Sequence, residues 1–115
     1  MNKLHTIKKN YEFSNIIHNC SYIKSKCFII YYNKDNGFDY YRFGISVSKK
    51  LGNAVHRNKY KRQMRYIIDK YKKYYQNGYD YIIILKNGYV DLDFESKEKD
   101  FISAIEKINS MVKEN

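Results

Sequence analysis

The chain has no proline and no tryptophan, two cysteines among 115 residues, and no long apolar run. Each absence excludes something. Cys20 and Cys27 stand seven apart, too few thiols for a disulfide framework or a zinc site. Reduced, packed thiols in a cytoplasmic protein are expected instead. The longest apolar stretches, such as Tyr81-Ile82-Ile83-Ile84-Leu85, fall far short of the roughly 18 residues a membrane helix needs. The basic N-terminus shows no apolar run with a cleavage site, so no signal peptide is read there. Lysine, asparagine, isoleucine and tyrosine are abundant while proline and tryptophan are missing, a bias of the kind an AT-rich coding sequence produces. A single lysine or asparagine is therefore a weak signal.

What is present fits one soluble folded domain over residues 1–115, with 43% hydrophobic and 30% charged residues. Acids are scarce in one place. Residues 42–73 hold eleven Lys or Arg (Arg42, Lys49, Lys50, Arg57, Lys59, Lys61, Arg62, Arg65, Lys70, Lys72, Lys73) and one acid, Asp69. That segment carries the whole net charge of +10, and the rest of the chain sums to zero. A local basic patch on a balanced protein is the footprint of a nucleic-acid binder.

Periodicity predicts the order α-β-β-β-α-β-α, an α+β sandwich of one sheet with helices packed on it. A short first helix is expected over residues 10–18, with Phe13, Ile16 and Ile17 at helical spacing. Residues 21–24 can add a short strand. Residues 27–32 (Cys-Phe-Ile-Ile-Tyr-Tyr) read as a strand, Asn33-Lys34-Asp35-Asn36-Gly37 as a turn and residues 38–47 as the returning arm of a hairpin. Gly52-Asn53 breaks the pattern. A long helix follows over residues 54–75, its stripe formed by Tyr60, Met64, Ile67, Ile68, Tyr71 and Tyr75. Asn77-Gly78 ends it. Residues 79–86 read as a buried strand, Asn87-Gly88 as a turn, and Asp93 as the cap of a last helix carrying Phe101, Ile102, Ile105, Ile108 and Val112.

At 100° per residue, Arg57, Asn58, Lys61, Arg62 and Arg65 fall within an arc of roughly 140° on the long helix, about a quarter-turn from its apolar stripe. The chain has 18 Lys and 4 Arg, and all four arginines lie in the basic segment. Arginine grips phosphate through a rigid fork and stacks on bases, whereas lysine is a mobile point charge. A ridge of this composition suits RNA better than it suits a merely solvated face.

The run Arg42-Phe43-Gly44-Ile45-Ser46-Val47-Ser48-Lys49-Lys50-Leu51-Gly52-Asn53-Ala54-Val55-His56-Arg57-Asn58-Lys59-Tyr60-Lys61-Arg62-Gln63-Met64-Arg65 closely resembles the signature of the bacterial ribonuclease P protein family. Arg-Asn-x-x-Lys-Arg-x-x-Arg stands at family spacing. Weaker resemblance extends to Ile7-Lys8-Lys9, Phe13, Asp80-Tyr81-Ile82-Ile83-Ile84 and the closing amphipathic helix. The resemblance implies a four-stranded mixed sheet with a left-handed β-α-β crossover, in the manner of the second domain of ribosomal protein S5. It implies that Lys49, Lys50, Arg57, Asn58, Lys61, Arg62 and Arg65 bind the catalytic RNA subunit. It further implies that Phe13, Ile17 and Tyr31 line a cleft for the single-stranded 5′ leader of precursor tRNA. Ile17 stands where the family commonly has a second cleft aromatic, Tyr66 where an acid or amide is frequent, and Cys20 where glycine is common. The Mg²⁺ ions of the reaction belong, on this resemblance, to the RNA subunit, and none is assigned to the protein. Neither a membrane nor DNA is an expected partner.

A protein nuclease would need a carboxylate cluster or a general base with a partner. Asp91, Asp93 and Glu95 alternate, yet they read more simply as a turn and a helix N-terminus. His5, His18 and His56 are isolated in sequence. The protein is thus expected to be a non-catalytic subunit of an RNA-based endonuclease. The competing reading is a ribosomal or ribosome-assembly protein that binds structured RNA without a processing role.

Overall fold

The computed structural model describes residue 17 and residues 21–113. Four strands form one mixed sheet: β1 (Ser21–Lys24), β2 (Phe28–Asn33), β3 (Arg42–Ser46) and β4 (Asp80–Leu85). Their spatial order is β1-β2-β4-β3, with β1–β2 and β2–β4 antiparallel and β3–β4 parallel. The helices are α1 (Ala54–Lys70), the short α2 (Gly88–Asp91) and α3 (Phe94–Lys113), with 3₁₀ turns at Lys49–Leu51 and Lys72–Tyr74. The helix expected over residues 10–18 lies outside the described residues except for Ile17, which is helical.

Alternation along β2 sorts the sheet into two faces. Phe28, Ile30 and Tyr32 are buried, while Ile29, Tyr31 and Asn33 are half-buried. On the first face Phe28, Phe43, Tyr81, Ile83 and Leu85 join Tyr60, Met64, Ile67 and Ile68 of α1 and Phe101, Ala104, Ile105 and Ile108 of α3 in one core. The core is aromatic: the Phe43 ring stacks on Tyr81 at 4.9 Å and meets Tyr75 edge-on at 4.6 Å. Offset and edge-on pairs of this kind add stability beyond the area they bury.

The expected hairpin between β2 and the following strand does not form. β4 lies between β2 and β3, and the strand predicted over residues 38–47 shrinks to Arg42–Ser46. The cause is a polar knot. Asn36 donates through Nδ2 to the carbonyls of Tyr40 and Tyr79 and to Asp80 Oδ1. The Arg42 fork donates from Nε to Asp80 Oδ1 at 2.8 Å and from Nη2 to Asp80 Oδ2 at 2.7 Å. Those bonds tie the turn and the start of β3 to the first residue of β4, and so draw β3 away from β2.

Local chemistry accounts for the helix ends. The Asn53 side chain accepts from the His56 amide and starts α1, as an N-cap should. The helix stops at Lys70, five residues before the predicted end, because the chain tightens into the 3₁₀ turn Lys72–Tyr74. Tyr75 still reaches the core, and its hydroxyl donates back to the Ile68 carbonyl. Asp93 accepts from the Ser96 amide at 2.8 Å and caps α3 as expected. Asp100 of α3 secures the β1–β2 turn, accepting from the Ser25 hydroxyl and the Cys27 amide.

Asn87-Gly88 opens α2 rather than a simple turn. A Cβ at Gly88 would lie 2.6 Å from the Lys26 carbonyl oxygen. Gly88→Ala is accordingly expected to cost about 1–3 kcal/mol through forced backbone shifts, read as a lower midpoint in chemical denaturation. An unchanged midpoint would mean that this close approach does not constrain the fold.

A basic ridge and an open aromatic face

Lys49 and Lys50 are exposed on the 3₁₀ turn before α1, which the buried Leu51 anchors and the Ser48 side chain caps at the Lys50 amide. In α1, Asn58, Arg62 and Arg65 are exposed, and Arg57 and Lys61 are half-buried at the border of the core. The five run along about 12 Å of helix. None of these cations forms an ion pair among the described residues. The Arg57 Nε is buried with no hydrogen-bond partner among those residues. The first turn of α1 contains no acid, so the positive end of the helix dipole adds to the same field. Burial, and after it the charge of Asp69, pushes the Tyr41 phenol up. Asp69, near the end of α1, therefore lies toward Tyr41, next to the start of β3, an edge strand.

Two members of the basic segment prove to be otherwise engaged. Arg42 grips the buried Asp80, a structural role that its place in the basic run did not disclose. Lys70 pairs with Glu98 at 2.9 Å. The usable charge is narrower than the sequence suggests, concentrated on the turn and the first three turns of α1.

The second sheet face is the other half of the site. Strand register aligns Tyr22, Tyr31, Ile82 and Gly44 in one row across the four strands. Side chains in such a row share a face. Ile17 and Tyr31 both pack on the buried Ile82, together with Ile84, so the structure brings two of the three expected leader-binding residues together. The third, Phe13, lies outside the described residues. Tyr22 was not anticipated. It is 49% exposed, its ring lies 5.2 Å from that of Tyr31, and the Lys24 ammonium sits 5.7 Å from it. Only the β1–β2 register reveals this pairing.

The carboxylates considered as a catalytic cluster do not gather. Asp91 is exposed on α2, Asp93 caps α3, and Glu95 pairs with Lys99 one turn on. Hydrogen bonds from Ser96, its side chain first, hold the Asp93 carboxyl below the usual carboxylate range. Among the described residues no three His, Cys, Asp or Glu come together as a metal site. His56 is exposed, its Nδ1 2.9 Å from Asn53 Oδ1, while His5 and His18 lie outside the described residues. Burial pushes the Cys27 thiol up to about 12, so the thiolate needed for reactivity is not formed at neutral pH. No described helix is long and apolar enough to cross a membrane.

A ridge of arginines and lysines on one helix, with Tyr22 and Tyr31 on the second sheet face, fits a protein that binds nucleic acid through its backbone and its unpaired bases. Comparison with known proteins makes this specific. Residues 1–109 match the Ribonuclease P family. The chain is 46% identical to the ribonuclease P protein component of Mesoplasma florum, over 82% of this chain and 86% of that protein. It is 43% identical to the Mycoplasma mycoides protein component, over 94% and 99% of the two chains. The structure superposes on the Staphylococcus aureus RNase P protein with a TM-score of 0.84 and 32% identity, covering 92% and 96% of the respective chains. The chain belongs to the ribonuclease P protein component family, whose members are the protein subunit of a ribonucleoprotein in tRNA 5′ processing.

Proposed function

We propose that this protein holds the catalytic RNA of ribonuclease P on its basic ridge and the 5′ leader of precursor tRNA on its open sheet face. The observation that carries this reading is the ridge itself, arginines and lysines on the turn and α1 that form no ion pair among the described residues. Lys49, Lys50, Arg57, Asn58, Lys61, Arg62 and Arg65 take phosphates of the folded RNA subunit, where rigid forks and point charges both serve. Phe13, Ile17 and Tyr31 meet the unpaired leader, whose bases can stack on an aromatic face. The reaction is phosphodiester hydrolysis that releases the leader and leaves the mature 5′ end of tRNA. In this reading the RNA subunit and its Mg²⁺ ions perform it. The protein contributes affinity for the leader and relieves repulsion between two polyanions. It acts in the cytoplasm.

The test adds purified protein to a cognate catalytic RNA at low Mg²⁺ and follows cleavage of precursor tRNA. Protein alone is expected to leave the substrate intact, and to stimulate cleavage only when the RNA is present. Activity in protein rigorously freed of RNA would sink the non-catalytic role. Tyr31→Ala is expected to weaken holoenzyme binding of precursor tRNA by about 1–3 kcal/mol, the worth of one stacked base. Mature tRNA should bind as before. Equal losses for both RNAs, together with a sharp drop in melting temperature, would reassign Tyr31 to packing. A ribosomal RNA-binding role would show no preference for an unpaired leader.

A further inference from the structure

Of the five described phenylalanines, Phe38 alone is exposed, at 46%. It does not sit on a loose loop. The Asn36 side-chain oxygen accepts from the Phe38 amide at 2.7 Å, and the Asn36 amide donates to the Gly78 carbonyl. Gly37 supplies the left-handed φ of +81° that the turn requires. The same Asn36 side chain is fastened to Asp80.

The ring itself has two partners. Tyr40 stacks on it at 4.9 Å with 23° between the planes. The Arg42 guanidinium lies 4.9 Å from its centroid, and that guanidinium is fixed in turn by the buried Asp80. Register places Arg42 level with Asp80 and Asn33, the same-face row next to Gly44, Ile82 and Tyr31. Side chains two residues apart on a strand share a face and stand about 7 Å apart. The Phe38–Tyr40 stack therefore lies at a corner of the open face, against Arg42, which stands one row and two strands from Tyr31.

We propose that Phe38 and Tyr40 form a second nucleobase platform, which takes an unpaired RNA base further along the strand held at Tyr31. This rests on the leader-binding reading of the open face and extends it. Every base has a π-face, so such a platform accepts leaders of varied sequence. A cation fixed against the stack strengthens it. The platform makes leader length, rather than leader sequence, the quantity that the protein reads.

The test uses reconstituted holoenzyme and precursor tRNAs whose leaders grow one nucleotide at a time. Parent protein is expected to show two gains in affinity at two leader lengths. Phe38→Leu keeps apolar cover over the Arg42–Asp80 pair but removes the π-face. It should retain the earlier gain and lose between about fivefold and a hundredfold at the later one. Phe38→Trp should restore the later gain, and Tyr31→Ala should remove the earlier one. A fluorescent adenine analogue walked along the leader gives a second readout that needs no variant, because stacking quenches it. Quenching is expected at two separated positions in the parent protein. If Tyr31→Ala removes the earlier gain while Phe38→Leu matches the parent at every length, the platform is wrong and the leader reading survives. If Tyr31→Ala leaves both gains intact, the leader reading itself fails. Equal weakening of mature tRNA or of the RNA subunit by Phe38→Leu, or quenching at one position only in the parent, also overturns the platform.

Discussion

Replacing Asp80 with alanine is expected to lower folding stability by about 3–5 kcal/mol, as removal of one partner from a buried ion pair does. Asp80 is 2% exposed and accepts from both arms of Arg42 and from Asn36. Without its carboxylate the guanidinium keeps its charge in a half-buried place and loses its two bonds. The Asn36 side chain loses the bond that ties the turn to β4. For a domain of this size the loss corresponds to a fall in melting temperature of more than about 10 °C, measurable by circular dichroism. Arg42→Met combined with Asp80→Leu should recover part of it, since no charge is left without its partner. If Asp80→Ala melts within a few degrees of the parent, the knot does not hold the strand order. The destabilised variant would still carry the intact ridge, so its residual RNA affinity below the melting transition should be close to that of the parent.

The second large effect concerns that ridge. Arg62→Ala combined with Arg65→Ala is expected to weaken binding to the catalytic RNA and to flatten the dependence of log affinity on log salt. The slope should fall by roughly 0.7 to 0.9 for each phosphate that the protein no longer neutralises. Both side chains are exposed, so stability should change little. Lys70→Ala is an internal control, because its ammonium is already engaged by Glu98 and its removal should leave the slope nearly unchanged. Arg62→Lys should preserve the slope yet lose affinity, since a point charge replaces a fork. Salt slopes that agree across parent and double variant would move the RNA subunit to another surface.

Much of this architecture can be read directly from residue spacing. The stripe from Tyr60 to Ile68 is buried as its period demands, Asp93 caps its helix, and β4 is a buried strand. These are local properties, set within a few residues. Strand neighbours are not. A turn-rich segment between two apolar runs looks like a hairpin, and nothing in residues 27–47 says that a strand from much further along the chain will come between its arms. The bond from Arg42 to Asp80 spans 38 residues, and it also explains why one arginine of the basic run is no part of the ridge. Tyr22 and Phe38 escaped notice for the same reason. Each becomes a candidate for binding a base only when register or a turn sets it beside another ring.

The strand order also governs when the sheet can exist during synthesis. β4 pairs with β2 on one side and β3 on the other, and it is made last of the four. Until residues 80–85 have left the ribosome, β3 has no partner, and β2 pairs only with the short β1. A two-stranded hairpin of that size is marginal by itself. The growing chain therefore carries its basic segment into solution before the sheet behind it can close, with Phe43 and the apolar stripe of α1 still uncovered. Closure then depends on pairings between residues far apart in the chain, which are slow to form. The emerging half-protein is thus both cationic and incompletely packed, and its exposure to aggregation lasts until one late strand arrives.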